Sequence, residues 1–197
     1  MMPGSLPGTP PVAGGDGPGI AATDRHVAAY VALERRRFEL LGSWVASTPE
    51  LEVKVALAAH ARHHAWHASL WEEHLPRRSG YQDPGGAPAL AGLAACLEAL
   101  AGDGGPDATV ERLAGAYRVV AARAVTAYRS HLAAMSVVSD GALARTCRFV
   151  LADQADDWHH GEALLQSLLD TDTAVERAAA RQATLERLVG DGDTGAR

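Results

Sequence analysis

Residues 57–71 read Leu57-Ala-Ala-His60-Ala-Arg-His63-His64-Ala-Trp66-His67-Ala-Ser-Leu70-Trp71. His60, His64 and His67 are spaced four and three residues apart, which stacks three imidazoles on one face of an α-helix. Leu57 lies about a turn before them and Trp71 about a turn after, so the face is apolar at both ends. The alternation that a half-buried strand needs is absent here and elsewhere in the chain. The chain is therefore read as all-α.

An upstream helix carries one carboxylate, Glu34, on an apolar face of Val27, Tyr30, Val31, Phe38, Leu41 and Val45. A buried carboxylate demands a partner: a metal ion, Arg37 or a histidine. Three neighbouring imidazoles would repel if all were cationic, so they must be neutral, hydrogen-bonded or metallated. Imidazole and carboxylate together inside a helical bundle are the usual composition of a metal site.

Working outward, the first helix spans about Asp24 to Ala46, with Thr23 or Asp24 as its cap. Ser47-Thr48-Pro49-Glu50 stops it and starts the second helix, with Thr48 as cap and Pro49 at the first helical position. That helix ends near Leu75, before Pro76. The connection from 76 to 106 opens with RRSGYQDPGGAP and holds one short helix, about Ala89 to Ala101. A third long helix runs from Pro106-Asp107 to about Met135, presenting Leu113, Tyr117, Val120, Ala121, Ala124, Tyr128, His131, Leu132 and Met135. A fourth runs from Ser139-Asp140 to about Leu169, presenting Val150, Gln154, Asp157, Gly161, Leu164 and Leu168. Thr173-Ala-Val-Glu176 reads as a capping box opening a final helix to Val189, stopped by Gly190. The expected division is a Gly/Pro-rich tail over 1–22, a helical bundle over 23–170, and a C-terminal helix with a loose tail over 171–197.

Only two Phe occur among 47% hydrophobic residues, which suits a core of closely packed small and branched aliphatics. A net charge of −6 and the lack of any basic block argue against nucleic-acid binding. No apolar run of about 20 residues predicts a membrane span. The N-terminal segment lacks the pattern of a signal peptide, so a cytoplasmic location is expected. Cys96 and Cys147 are read as buried free thiols. There is no phosphate-cradling loop after a strand and no nucleophile elbow.

Over about Asp24 to Leu169 the chain resembles the ferritin-like superfamily, a four-helix bundle with one long crossover between its second and third helices. Metal-binding members carry Glu on the first helix, Glu-x-x-His on the second, Glu on the third and Glu-x-x-His on the fourth. Glu34 matches the first. His64-Ala65-Trp66-His67 matches the second, with His64 in place of Glu. Asp157-Trp158-His159-His160 matches the fourth, with Asp for Glu. Where the third helix should offer Glu, the chain reads Ala124-Val125-Thr126-Ala127-Tyr128, whose one oxygen donor of note is the Tyr128 phenol. The resemblance implies iron, one or two ions, or another divalent metal. It also implies oxidase or oxygenase chemistry on a small molecule; the departure on the third helix favours a metal-free structural bundle instead.

The candidate ligands are Glu34, His60, His64, His67, Asp153, Asp157 and His160. Antiparallel packing of the first two helices puts Glu34, His60 and His64 at one height, about 20 Å from the turn at Thr48. On the fourth helix Asp153 matches that height and Asp157 matches the apolar face, and both registers stay open. Gln154 and Tyr128 are candidates for orienting the ligands. His63 is expected in solvent, His74 at a helix end, and Asp156, His159 and Glu162 on a solvated face. Asp157 has Arg123 as its alternative partner. Tyr117 is expected as a core aromatic, and Trp44, Trp66, Trp71 and Trp158 as packing or rim residues. A homodimer through helix faces is compatible with this pattern.

Overall fold

The computed structural model describes residues 20–76, 90–136 and 138–194. It is all-helical, and no strand occurs among the described residues. The helices are α1 (Ile20–Val45), α2 (Leu51–Glu72), α3 (Ala91–Ala101), α4 (Thr109–Leu113), α5 (Ala122–Ala134), α6 (Gly141–Leu168) and α7 (Asp172–Thr194). Between α4 and α5 the chain stays helical but widens into a π-helix over Ala114–Ala121, so the three pieces form one rod. The expected tail lies outside the described residues up to 19, as does the stretch 77–89 of the long connection. Among the described residues no helix is long and apolar enough to cross a membrane.

Helix α1 packs antiparallel along α2, α2 packs on α6, and α6 packs on the rod. Tyr30 of α1 meets Tyr128 of α5 at 4.3 Å between ring centroids, which closes the circle. The core is built from Leu, Val and Ala with Tyr30, Trp44, Trp71, Tyr117 and Tyr128. Both Phe side chains are exposed. Cys96 and Cys147 are free and fully buried, as expected.

Several local expectations are corrected. Thr48 does not open α2: its hydroxyl and its N–H both bond the Trp44 carbonyl, so it closes α1. Helix α2 starts two residues later than that reading, with Glu50 as its extended N-cap residue. Helix α1 begins upstream of Thr23 and Asp24, because Ala21 and Ala22 are strong helix formers. Its buried face is rotated from the expected one. Phe38 is 44% exposed, while Leu33, Arg37, Leu40 and Trp44 are inside. The rotation follows from α1 having two neighbours, α2 on one flank and α3 on the other.

The last helix also differs. Thr171, two residues before the expected cap, accepts the Ala174 N–H at 3.2 Å and starts α7. Helix α7 then continues through Gly190 and packs on α3, α4 and the π-helical segment. Its apolar seam is Ala174, Ala178, Leu185 and Val189. Gly92 permits the close approach, since a Cβ there would sit 2.8 Å from the Val189 Cα. Arg177 pairs with Glu111, and Arg181 with Asp103. Solvent-accessible ion pairs contribute about 0–1 kcal/mol, and even the half-buried Arg181–Asp103 pair must offset its desolvation, whereas burying one leucine contributes about 1.5–3 kcal/mol, so the apolar seam decides the docking.

Leu185 is fully buried, and its side chain lies where a Cβ on Gly115 would reach. Replacing it by Ala should cost about 2–4 kcal/mol in urea unfolding, with one cooperative transition retained. A loss below about 0.5 kcal/mol would mean that α7 is not part of the cooperative unit.

Candidate metal centre

Glu34 is fully buried at the middle of α1, and three other helices supply its partners. The Tyr128 hydroxyl donates to Oε1 at 2.6 Å and the Gln154 amide donates to the same oxygen at 2.9 Å. His64 Nδ1 lies 2.7 Å from Oε2. Arg37, one turn along α1 and 4% exposed, places its guanidinium 3.8 Å from Oε1 and donates to the Gln154 carbonyl oxygen. Burial pushes the carboxyl pKa up. His64, His67 and Arg37 outweigh burial and hold it well below the ordinary carboxylate range. Glu34 is thus ionised in a dry interior.

The imidazoles are set by the same network. Burial pulls His64 down to about 4, with Arg37 adding to the effect, so the ring is neutral near pH 7. A neutral ring that gives its Nδ1–H to the Glu34 carboxylate keeps a lone pair on Nε2, and that buried atom has no hydrogen-bond partner among the described residues. His67 is oriented by Asp153, whose Oδ2 lies 3.0 Å from Nε2. Its Nδ1 is buried, 3.6 Å from Glu34 Oε2 and without a hydrogen bond. Burial lowers the His67 pKa, but Glu34 and Asp153 together raise it above its ordinary value.

Glu34, His64 and His67 each offer a donor atom within 4.8 Å of the other two. Ligands about 2.0–2.2 Å from one ion stand about 3–3.5 Å apart; His67 Nδ1, 3.6 Å from Glu34 Oε2, is near that spacing, whereas His64 would have to give up the hydrogen bond its Nδ1 makes at 2.7 Å to the same oxygen. With that hydrogen bond exchanged for a metal bond, the donors of Glu34, His64 and His67 could hold a divalent ion. Asp153 would then fill the usual place of the carboxylate that orients a metal-bound histidine.

The remaining candidates gather one layer away. Tyr117 sits in the π-helical segment, and its hydroxyl lies 2.7 Å from His60 Nδ1. Gly161 of α6 makes room for it, since a Cβ there would overlap the Tyr117 ring. His60 Nε2 faces Asp157 at 3.3 Å and His160 Nδ1 at 3.2 Å. His63 Nδ1 lies 3.0 Å from both Asp157 oxygens. His160 is exposed at the surface end of this chain of groups.

The seven candidate residues thus divide into two sets. Glu34, His64 and His67 converge, with Asp153 behind His67. His60, Asp157 and His160 form the neighbouring layer and are not part of that convergence. Helix α6 turns both Asp153 and Asp157 toward the α2 histidines, and neither joins the convergence.

Four other expectations change. His63 does not point into solvent, because Asp157 holds it. Asp157 pairs with histidines and not with Arg123. Tyr128 keeps its expected orienting role: burial raises its pKa well above the ordinary range, so it stays protonated and donates a hydrogen bond to Glu34. His74 meets the Thr146 hydroxyl at 2.8 Å, and burial lowers its pKa, so it is not a helix-end cation. Glu162 is paired with Arg118. Comparison with known protein families, curated proteins and solved structures finds no match for this chain. The site must therefore be read from its own chemistry.

Acid should unfold this interior. His60, His64 and His131 have pKa values held to about 3, 4 and 4 by burial, against an ordinary value of 6.5. Between those values the unfolded chain binds more protons, so stability rises with pH from about 4 to 6.5 and then levels off. His67, with its raised pKa, works in the opposite sense near neutrality. Glu34, with its lowered pKa, contributes stability that begins to fall as pH drops through the ordinary carboxylate value of 4.5 and is lost by its own depressed pKa. A Tm about 10 °C lower at pH 4.5 than at pH 7 is the expected reading by differential scanning calorimetry. An unchanged Tm would mean that these rings titrate freely in the folded state.

Proposed function

We propose that this chain is a helical metalloprotein of the ferritin-like kind, holding one divalent ion, iron by preference, at Glu34, His64 and His67. In this reading it is an oxidase or oxygenase acting on a small molecule. The supporting observation is the buried convergence of Glu34, His64 and His67, with His67 Nδ1 unpartnered 3.6 Å from the carboxylate and His64 Nε2 likewise buried without a partner. Leaving two such atoms unmet in a dry core costs about 1–3 kcal/mol each, and a metal ion would remove that cost. Two histidines and one carboxylate, with coordination positions left open, are the donor set of non-haem iron oxygenases.

The residues around the triad have definable tasks. Tyr128 and Gln154 fix Glu34 by bonding Oε1 and leave Oε2 toward the histidines. Asp153 fixes the ring plane of His67. His64 and His67 keep the carboxylate ionised, and Arg37 adds to their effect. Leu57 and Trp71, fully buried on the same α2 face, exclude water from both ends. When bound, iron would supply one-electron chemistry with dioxygen or peroxide, which no side chain here offers.

One observation favours a metal-free structural bundle instead. Glu34 already receives hydrogen bonds on both oxygens and has a guanidinium nearby, so its charge is met without an ion.

The two readings separate cleanly by experiment. Protein produced with added iron should carry about one ion per chain by inductively coupled plasma mass spectrometry. Glu34→Gln and His67→Ala should each lower that content at least tenfold. Asp153→Asn should weaken metal affinity by about 10–100-fold. Stripping the metal should lower Tm by several degrees, since an ion at 100 times its Kd contributes about 2.7 kcal/mol. A chain that takes up no iron, manganese or zinc, and whose Tm ignores chelators, would leave only the structural reading.

A further inference from the structure

A second feature lies away from the polar layer. A cavity of about 420 Å³ opens between α1, α3, α5 and α7. Its apolar wall includes Leu90, Leu93, Ala127 and Val189. Its polar groups include Arg123, Thr126, Ser130 and the rings of His26 and His131. The volume falls in the range of small-molecule sites, and a mostly apolar lining with a few convergent polar groups is their usual composition.

Three observations say what would enter. No Asp or Glu lines the cavity among the described residues, and Arg123 has no acidic partner among them. An unpaired guanidinium at the edge of an apolar hollow recognises a carboxylate. His131 is 6% exposed, its Nδ1 is engaged by the Tyr30 hydroxyl at 3.0 Å, and its Nε2 has no partner. His26 stacks on that ring at 4.4 Å and holds it in place.

We propose that this cavity binds an amphipathic carboxylate, with its apolar body between α3, α5 and α7 and its anionic head at Arg123. The site does not depend on the metal reading, because none of its lining residues belongs to the triad. It borders that layer through Tyr30, which lines the cavity on one side and meets Tyr128 on the other.

Decanoate is the probe, titrated by isothermal calorimetry into chelator-treated full-length protein. Decanol tests the body without the charge, and acetate the charge without the body. Decanoate should bind one per chain, decanol about tenfold more weakly, and acetate not measurably. Arg123→Gln, at an exposed position, should weaken decanoate binding about tenfold while leaving decanol unchanged. Ala127→Phe, which fills the cavity, should abolish both, with the far-UV circular dichroism of each variant matching the parent. No decanoate binding up to 1 mM (about −4 kcal/mol) would overturn the proposal. So would equal binding of decanoate and decanol, or decanoate binding that ignores both substitutions. Because the protein is metal-free throughout, failure here leaves the metal reading as it stands, and the reverse also holds.

Discussion

One ionised carboxylate in a water-free interior governs the arrangement. Glu34 cannot be buried without compensation, and its own helix supplies only Arg37. The other donors come from α2, α5 and α6, as His64, Tyr128 and Gln154. A rotation of any one of these helices by one residue, about 100°, would withdraw its donor and strand a charge. Apolar packing alone tolerates exchange of one aliphatic for another; this network does not. It therefore specifies which faces of four helices look inward, beyond what the leucines and alanines around it could specify.

The polar interior is graded. Next to Glu34 every group is closed to water and the histidines divide their nitrogens between a carboxylate and nothing. One layer out, His60, His63 and Asp157 pair with one another and with the Tyr117 hydroxyl, and His160 carries the series to the surface. Two buried carboxylates, Glu34 and Asp157, share the influence of one guanidinium, Arg37, and a third, Asp153, stands partly exposed behind His67. The interior is short of positive charge unless His67 takes a proton or a cation enters. The raised pKa of His67 and the fit of the triad to an ion are two expressions of that deficit.

Much of this was readable from residue spacing. The 3.6-residue period gave the long helices to within a few residues, and the faces of the second, third and fourth carried the residues now found inside. Gln154 and Arg37 were recognisable as neighbours of Glu34. What spacing could not show is what depends on neighbours. The buried face of α1 is turned toward α3, so Phe38 and Arg37 exchange places. His63 lies only one residue before the buried His64, and only the position of Asp157 on α6 decides that it is held. The docking of α7 rests on the missing side chains of Gly92 and Gly115, a signal of absence that no hydrophobic count registers. The π-helical widening has no composition that marks it.

Gly161 and Tyr117 occupy one volume between them: the ring fills the place where any side chain on α6 at that point would stand. Neither position can change size alone. In related chains the two sites should drift as a pair, a larger residue on α6 appearing only beside something smaller than tyrosine on the rod. Wherever that exchange has happened, the phenol that holds His60 is gone, and with it the inner anchor of the histidine series that leads out to solvent.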